Sequence, residues 1–134
     1  MNSLKLDSKQ YQKILQHLEE LLPEEGCGLI AGKDGIAQRV YPVRNSLASP
    51  TAYEMEPVEQ LEAMLDMDKR GLDLLAIYHS HPHGPVEPSQ MDISMAYYPE
   101  AAYLIVSWDS GHLPTMRAFF IVDGRTTEME IKIA

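Results

Sequence analysis

Residues 72–82 read Leu72-Asp73-Leu74-Leu75-Ala76-Ile77-Tyr78-His79-Ser80-His81-Pro82, and the chain continues His83-Gly84-Pro85-Val86-Glu87-Pro88-Ser89-Gln90-Met91-Asp92. Leu74, Leu75 and Ile77 mark a hydrophobic strand over 72–78 that runs without a break into the histidine pair. Extended backbone alternates its side chains between faces, so His79 and His81 share one face about 6–7 Å apart. A Pro/Gly loop follows to residue 88. A short helix is expected over 89–97, with Asp92 in its first turn.

Working outward, Tyr11, Ile14, Leu15, Leu18, Leu21 and Leu22 recur at helical spacing over 8–22, with Asp7 or Ser8 as cap and Pro23 as stop. Residues 25–31 read as a strand, Lys33-Asp34-Gly35 as a hairpin turn, and a second strand runs to about residue 43. Residues 44–56 are irregular. A second helix is expected over 57–70, from Pro57 to a stop at Gly71. Strands over 101–108, 116–122 and 128–133 complete the pattern. Strands and helices mix without regular βα alternation, which predicts an α+β fold, a mixed sheet flanked by helices in α/β/α layering. With no repeat or long linker, residues 1–134 are expected to form one domain.

Two imidazoles on one strand face can each bring a nitrogen to about 2.0–2.1 Å from a single zinc ion, and Asp92 can return a carboxylate oxygen to the same point. A His/His/Asp set leaves a fourth tetrahedral position for water, which is the catalytic rather than the closed structural arrangement. The only cysteine, Cys27, argues against a thiolate-rich structural site. Activating a water also needs a carboxylate outside the ligand set. Glu25, among small neighbours in Glu25-Gly26-Cys27-Gly28, is the best placed, although spacing alone does not separate it from Glu24 or bring it to the metal. Ser89 is placed to donate its hydroxyl to a developing oxyanion.

Eleven basic against twenty acidic residues give a formal charge of −9. Such a surface repels phosphate backbones, and no Lys/Arg cluster reverses this, so nucleic acid is not an expected partner. No apolar run approaches the roughly 20 residues of a membrane span, and residues 1–7 do not read as a signal peptide. A lone cysteine fits a reducing compartment, and a cytoplasmic protein is expected. Nothing in the sequence selects an oligomeric state.

Glu25-x-Cys27-Gly28, His79-Ser80-His81-Pro82, and Ser89-x-x-Asp92, with seven residues between His81 and Ser89, together resemble the JAMM motif of the MPN-domain metalloproteases. Leu29-Ile30-Ala31-Gly32, Tyr53-Glu54-Met55-Glu56-Pro57 and Tyr103-Leu104-Ile105-Val106-Ser107 are similar to short prokaryotic members, so the resemblance spans about residues 4–133. It implies an MPN/JAMM-like, cytidine-deaminase-like fold, one Zn2+ per chain on His79, His81 and Asp92, Glu25 as general base and Ser89 as oxyanion donor. It also implies hydrolysis of a peptide or isopeptide bond at the C-terminal Gly-Gly of a ubiquitin-like partner. The chain is short, like the small enzymes that process sulfur-carrier-type proteins. A thin glycine tail could enter a narrow cleft by strand addition to a sheet edge.

Other readings attach to the same residues. Ser89-x-x-Asp92 is also a helix capping box, and His79 and His81 could simply close a strand. A catalytically silent MPN-type scaffold and a hydrolase built on Cys27 are the alternative functions. His83 could touch substrate from its loop, while His17 and His112 are expected at the surface.

Overall fold

The computed structural model describes residues 1–108 and 113–134; His112 lies outside the described residues. The elements are β1 (Ser3–Leu6), α1 (Ser8–Leu21), β2 (Cys27–Lys33), β3 (Ile36–Val43), α2 (Pro57–Lys69), β4 (Asp73–His81), α3 (Gln90–Ser94), β5 (Ala102–Ser107), β6 (Thr115–Val122) and β7 (Arg125–Ile133). Helix α1 starts at a capping box. The Asp7 carboxylate accepts from the Gln10 amide at 2.7 Å, and the Gln10 side chain accepts from the Asp7 amide at 2.9 Å. Two of the four free amides of the first turn are satisfied in this way.

The strands form one mixed sheet in the order β1-β3-β2-β4-β5-β6-β7, and the sheet closes because β1 pairs with both β7 and β3. The expected mixed sheet with helices on its faces is present; its closure, and β1 itself, were not expected. Four residues are too few to show a period, yet Leu4 and Leu6 are fully buried. Closure at β3 rests on the single register pair Lys5–Ile36. Helix α1 covers the rest of that edge, with Gln10 Nε2 donating to the Ala37 carbonyl at 2.9 Å and Lys13 Nζ to the Val40 carbonyl at 3.3 Å. Covering an edge in this way removes a template for pairing with other chains.

Strand β4 lies at the centre, antiparallel to β2 and parallel to β5, and is buried from Leu75 through His81. It is longer than the apolar run 72–78, because the histidine pair continues the ladder. Alternation sends Tyr78 toward Ile14 and Leu18 of α1, and Ile77 toward Ala63 and Met67 of α2. His79 and His81 fall on the Ile77 face. Gly28 opposes Tyr78, and a Cβ there would sit 2.3 Å from the tyrosine ring. That close approach lets the Tyr78 hydroxyl meet His17 Nδ1 at 2.7 Å. His17 is therefore half-buried and hydrogen-bonded rather than a free surface residue. Helix α3 has five residues and ends at Ser94, short of the expected residue 97. Among the described residues, no helix is long and apolar enough to cross a membrane.

Candidate metal centre

His79 and His81 emerge side by side from the C-terminal end of β4. Their Nε2 atoms are 3.0 Å apart, and Asp92 Oδ2 lies 3.2 Å from the first and 3.0 Å from the second. Three ligands at about 2.0–2.1 Å from one tetrahedral centre are separated by about 3.3–3.4 Å. The observed triangle is slightly tighter and has the size that a single cation between the three atoms requires. His81 Nδ1 faces the Pro85 carbonyl at 2.9 Å. A carbonyl only accepts, so Nδ1 carries a proton, and the neutral form of this tautomer leaves Nε2 free to ligate a metal once the proton it shares with Asp92 is lost.

The charges follow from burial and these contacts. Complete burial holds His79 below the usual imidazole range despite its bonds to Asp92. Burial also acts to lower His81, but hydrogen bonds to Asp92 and Pro85 outweigh it and raise the net value. For Asp92, burial is opposed by hydrogen bonds from both histidines, which hold the carboxyl well below its ordinary range. Two imidazole nitrogens and one ionised carboxylate make a donor set suited to zinc. His79 Nδ1 is buried without a hydrogen-bond partner among the described residues, and its ring is kept in place by stacking on Tyr53 at a centroid distance of 4.6 Å and 26° between planes.

Asp92 reaches the triangle because α3 starts immediately before it. The Ser89 hydroxyl accepts from the Asp92 amide at 3.0 Å, and Asp92 Oδ2 accepts from the Ser89 amide at 2.9 Å. The capping box and the triangle therefore share one oxygen, so capping leaves Asp92 Oδ2 within reach of both histidines. The loop over 82–88 is pinned from the sheet: the Ser107 hydroxyl donates to the Gly84 carbonyl at 2.6 Å and Arg117 Nη1 to the Val86 carbonyl at 3.1 Å.

Glu25 comes from the other side, just before β2. Together with His79 and His81 it forms a buried cluster whose ligand atoms lie within 4.8 Å of one another. It hydrogen-bonds to neither histidine, and Asp92 is the carboxylate that completes the short triangle. Burial, offset in part by His81 and reinforced by Asp92, pushes the Glu25 carboxyl up to about 7. Sequence spacing could not bring Glu25 here; pairing does. Cys27 stands opposite His79 in the β2–β4 register, and beyond Cys27 the Ser80 hydroxyl accepts from the Gly26 amide at 2.9 Å while the Ser80 amide donates to the Gly26 carbonyl at 3.1 Å. Asn45 Nδ2 donates to the Glu25 carbonyl at 3.0 Å, and the Glu25 amide donates to the Ser49 carbonyl at 2.8 Å. Sequence reasoning assigned no role to Ser80 or Asn45, and neither carries a local signal.

The centre opens into a cleft of about 660 Å³ whose lining includes Glu25, Tyr53, Met55, His81, Ser89 and Asp92. Exposed His83 also lines it. Cys27 is fully buried, and burial, then the charges of Glu25 and Glu59, push its thiol up to about 12. It stays protonated at neutral pH and is a poor nucleophile.

A family model described as prokaryotic homologs of the JAB domain matches residues 7–122, and the chain belongs to this family of JAMM-type metallopeptidases with the MPN fold. It is 34% identical over 122 residues to the CysO-cysteine peptidase of Mycobacterium tuberculosis, covering 90% of this chain and 84% of the relative. It is 40% identical over 116 residues to a probable TtuB-protein conjugate cleaving protease of Thermus thermophilus, covering 86% and 74%. A solution structure from Desulfitobacterium hafniense superposes with a TM-score of 0.87 at 37% identity, covering 98% of this chain and 92% of the other.

Proposed function

We propose that residues 1–134 form one zinc metallopeptidase domain that hydrolyses the bond after the C-terminal Gly-Gly of a ubiquitin-like, sulfur-carrier-type protein. The observation that carries this reading is the triangle of His79 Nε2, His81 Nε2 and Asp92 Oδ2, with Glu25 buried beside it. His79, His81 and Asp92 would hold one Zn2+. When bound, zinc supplies a Lewis acid that polarises the scissile carbonyl and acidifies a water at the open position. Glu25 takes the proton from the attacking water as its oxygen bonds to the carbonyl carbon, and returns a proton to the leaving amine as the C–N bond breaks. Its raised pKa, about 7, suits both acceptance and return near neutral pH. Ser89 donates its hydroxyl hydrogen to the carbonyl oxygen as negative charge develops there. Its capping contact uses the oxygen as acceptor and leaves that hydrogen available.

The relatives named for CysO-cysteine and for TtuB conjugates support the substrate class. The cleft supports an extended tail, although not at a sheet edge, since β1 and α1 close or cover those edges. The 53–55 segment lines the cleft. Ser46 donates to the Glu54 carbonyl and Glu56 to the Arg44 carbonyl, both at 2.9 Å, around the Asn45–Met55 bridge. In such a non-hydrogen-bonded pair the amide and carbonyl of Met55 point away from the partner strand. Glycines allow a tail to lie against that edge without side-chain clashes. The free thiol of Cys27 accords with a cytoplasmic setting. The test is to incubate the zinc-loaded protein with a sulfur-carrier protein whose Gly-Gly end is extended by one alanine, and to follow its mass. Loss of the alanine is expected; an intact substrate, with zinc bound, would remove the substrate assignment.

A further inference from the structure

We propose that Asn45 is a positioning residue for the reaction, holding the backbone of Glu25 and the facing cleft wall in one rigid unit; this rests on the reading of Glu25 as base. Asn45 is 8% exposed and spends its whole side-chain hydrogen-bonding capacity on backbone. Nδ2 donates to the Glu25 carbonyl and to the Ala52 carbonyl, each at 3.0 Å. Oδ1 accepts from the Leu47 amide at 3.1 Å and from the Glu54 amide at 3.0 Å. One amide group thus ties the residue carrying the base to both ends of the segment that presents Tyr53.

The Leu47 contact is an Asx turn, continued by the Ala48 amide donating to the Asn45 carbonyl at 3.2 Å. That turn brings the Ser49 carbonyl back to the Glu25 amide at 2.8 Å. Both backbone polar groups of Glu25 therefore depend on the loop that Asn45 organises. This matters because Glu25 precedes β2 and has no ladder bonds of its own, and the next residue, Gly26, imposes little conformational restriction. Ser80 secures Gly26 but does not reach Glu25. On the other side of the clip, the Ala52 and Glu54 contacts hold the segment that presents Tyr53, which lines the cleft together with Glu25.

The experiment compares N45A and N45D, each alone and combined with E25Q, as zinc-loaded proteins cleaving the alanine-extended sulfur-carrier substrate. N45D keeps the size and both accepting contacts but sets a carboxylate oxygen against the Glu25 and Ala52 carbonyls in place of the donations, and it gives a second, differently disrupted variant if N45A does not fold. Each single variant is expected to hold one zinc per chain and lose about 10- to 100-fold in kcat, the scale of a roughly 1 Å misplacement, with KM changed by less. Amide exchange at Leu47 is expected to quicken in N45A. In the E25Q background, either Asn45 substitution should cost nothing further in kcat, because a residue acting through the base has nothing left to position. Unchanged kcat in both single variants would overturn the proposal, as would losses that multiply with that of E25Q. If E25Q turned over as fast as the parent, the reading of Glu25 itself would fall, and the role of Asn45 with it.

Discussion

The two sides of the metal centre are built differently. His79, His81 and Asp92 lie within one strand–loop–helix unit of fourteen residues, 79–92, and their short contacts follow from strand alternation and one capping turn. Glu25 stands more than fifty residues upstream and reaches the same point only through β2–β4 pairing, Ser80 and Asn45. On the function proposed above, the local side would hold the metal and the assembled side would bring the proton acceptor. Metal binding should accordingly survive damage to the assembled side, whereas turnover should not survive damage to either.

The sharpest break of that comparison is on the local side. Replacing Asp92 or His81 by alanine should abolish turnover and reduce bound zinc well below one per chain, read by metal analysis after dialysis. It should also erase the zinc-dependent rise in thermal stability, which amounts to about 2.7 kcal/mol at a hundredfold excess over Kd. If D92A kept its zinc and its activity, the ligand triangle would be misassigned.

Ser89 sits between the two jobs of its segment. If its hydroxyl serves the developing oxyanion, S89A should lower kcat by about 10²–10³-fold with zinc retained. If capping is its whole role, only about 1 kcal/mol of stability should go, with kcat per folded molecule unchanged. The kinetic outcome is the one expected.

A smaller effect concerns the cost of burying Glu25. Its carboxyl rises from an ordinary value of 4.5 to about 7 in the folded protein, chiefly through burial. The folded state therefore binds the proton more tightly than the unfolded one, and stability is lost as pH rises between those values. E25Q should stabilise the metal-free protein by about 1–3 kcal/mol at pH 8. The gain should fade below pH 4, where the carboxyl is protonated in both states. A gain independent of pH, measured by denaturant titration, would mean that ionisation of Glu25 is not its source.

Legibility from sequence follows the same division. The histidine pair and Asp92 could be read because side-chain alternation and helix capping are local rules, and Ser89 came with them. Glu25 was singled out by resemblance to the JAMM motif, since no local rule separates it from Glu24. Asn45 and Ser80 stayed silent because their bonds to the Glu25–Gly26 backbone span 20 and 54 residues; an Asn in an Asn/Ser/Pro stretch looks like any turn residue. Strand β1 and the closure of the sheet escaped for a related reason: Leu4 and Leu6 show their burial only once β7 lies alongside. Helix α3 was expected to reach residue 97, but it ends at Ser94, and Met95 and Tyr97 beyond it are exposed.

The most direct test pairs zinc content with turnover in the same samples of parent protein and E25Q. The account predicts about one zinc per chain in both, with cleavage of the alanine-extended Gly-Gly substrate in the parent and a loss of about 10²–10⁴-fold in E25Q. Equal turnover at equal zinc would contradict the assignment of the base, and loss of zinc from E25Q would contradict the division between a side that holds the metal and a side that moves the proton.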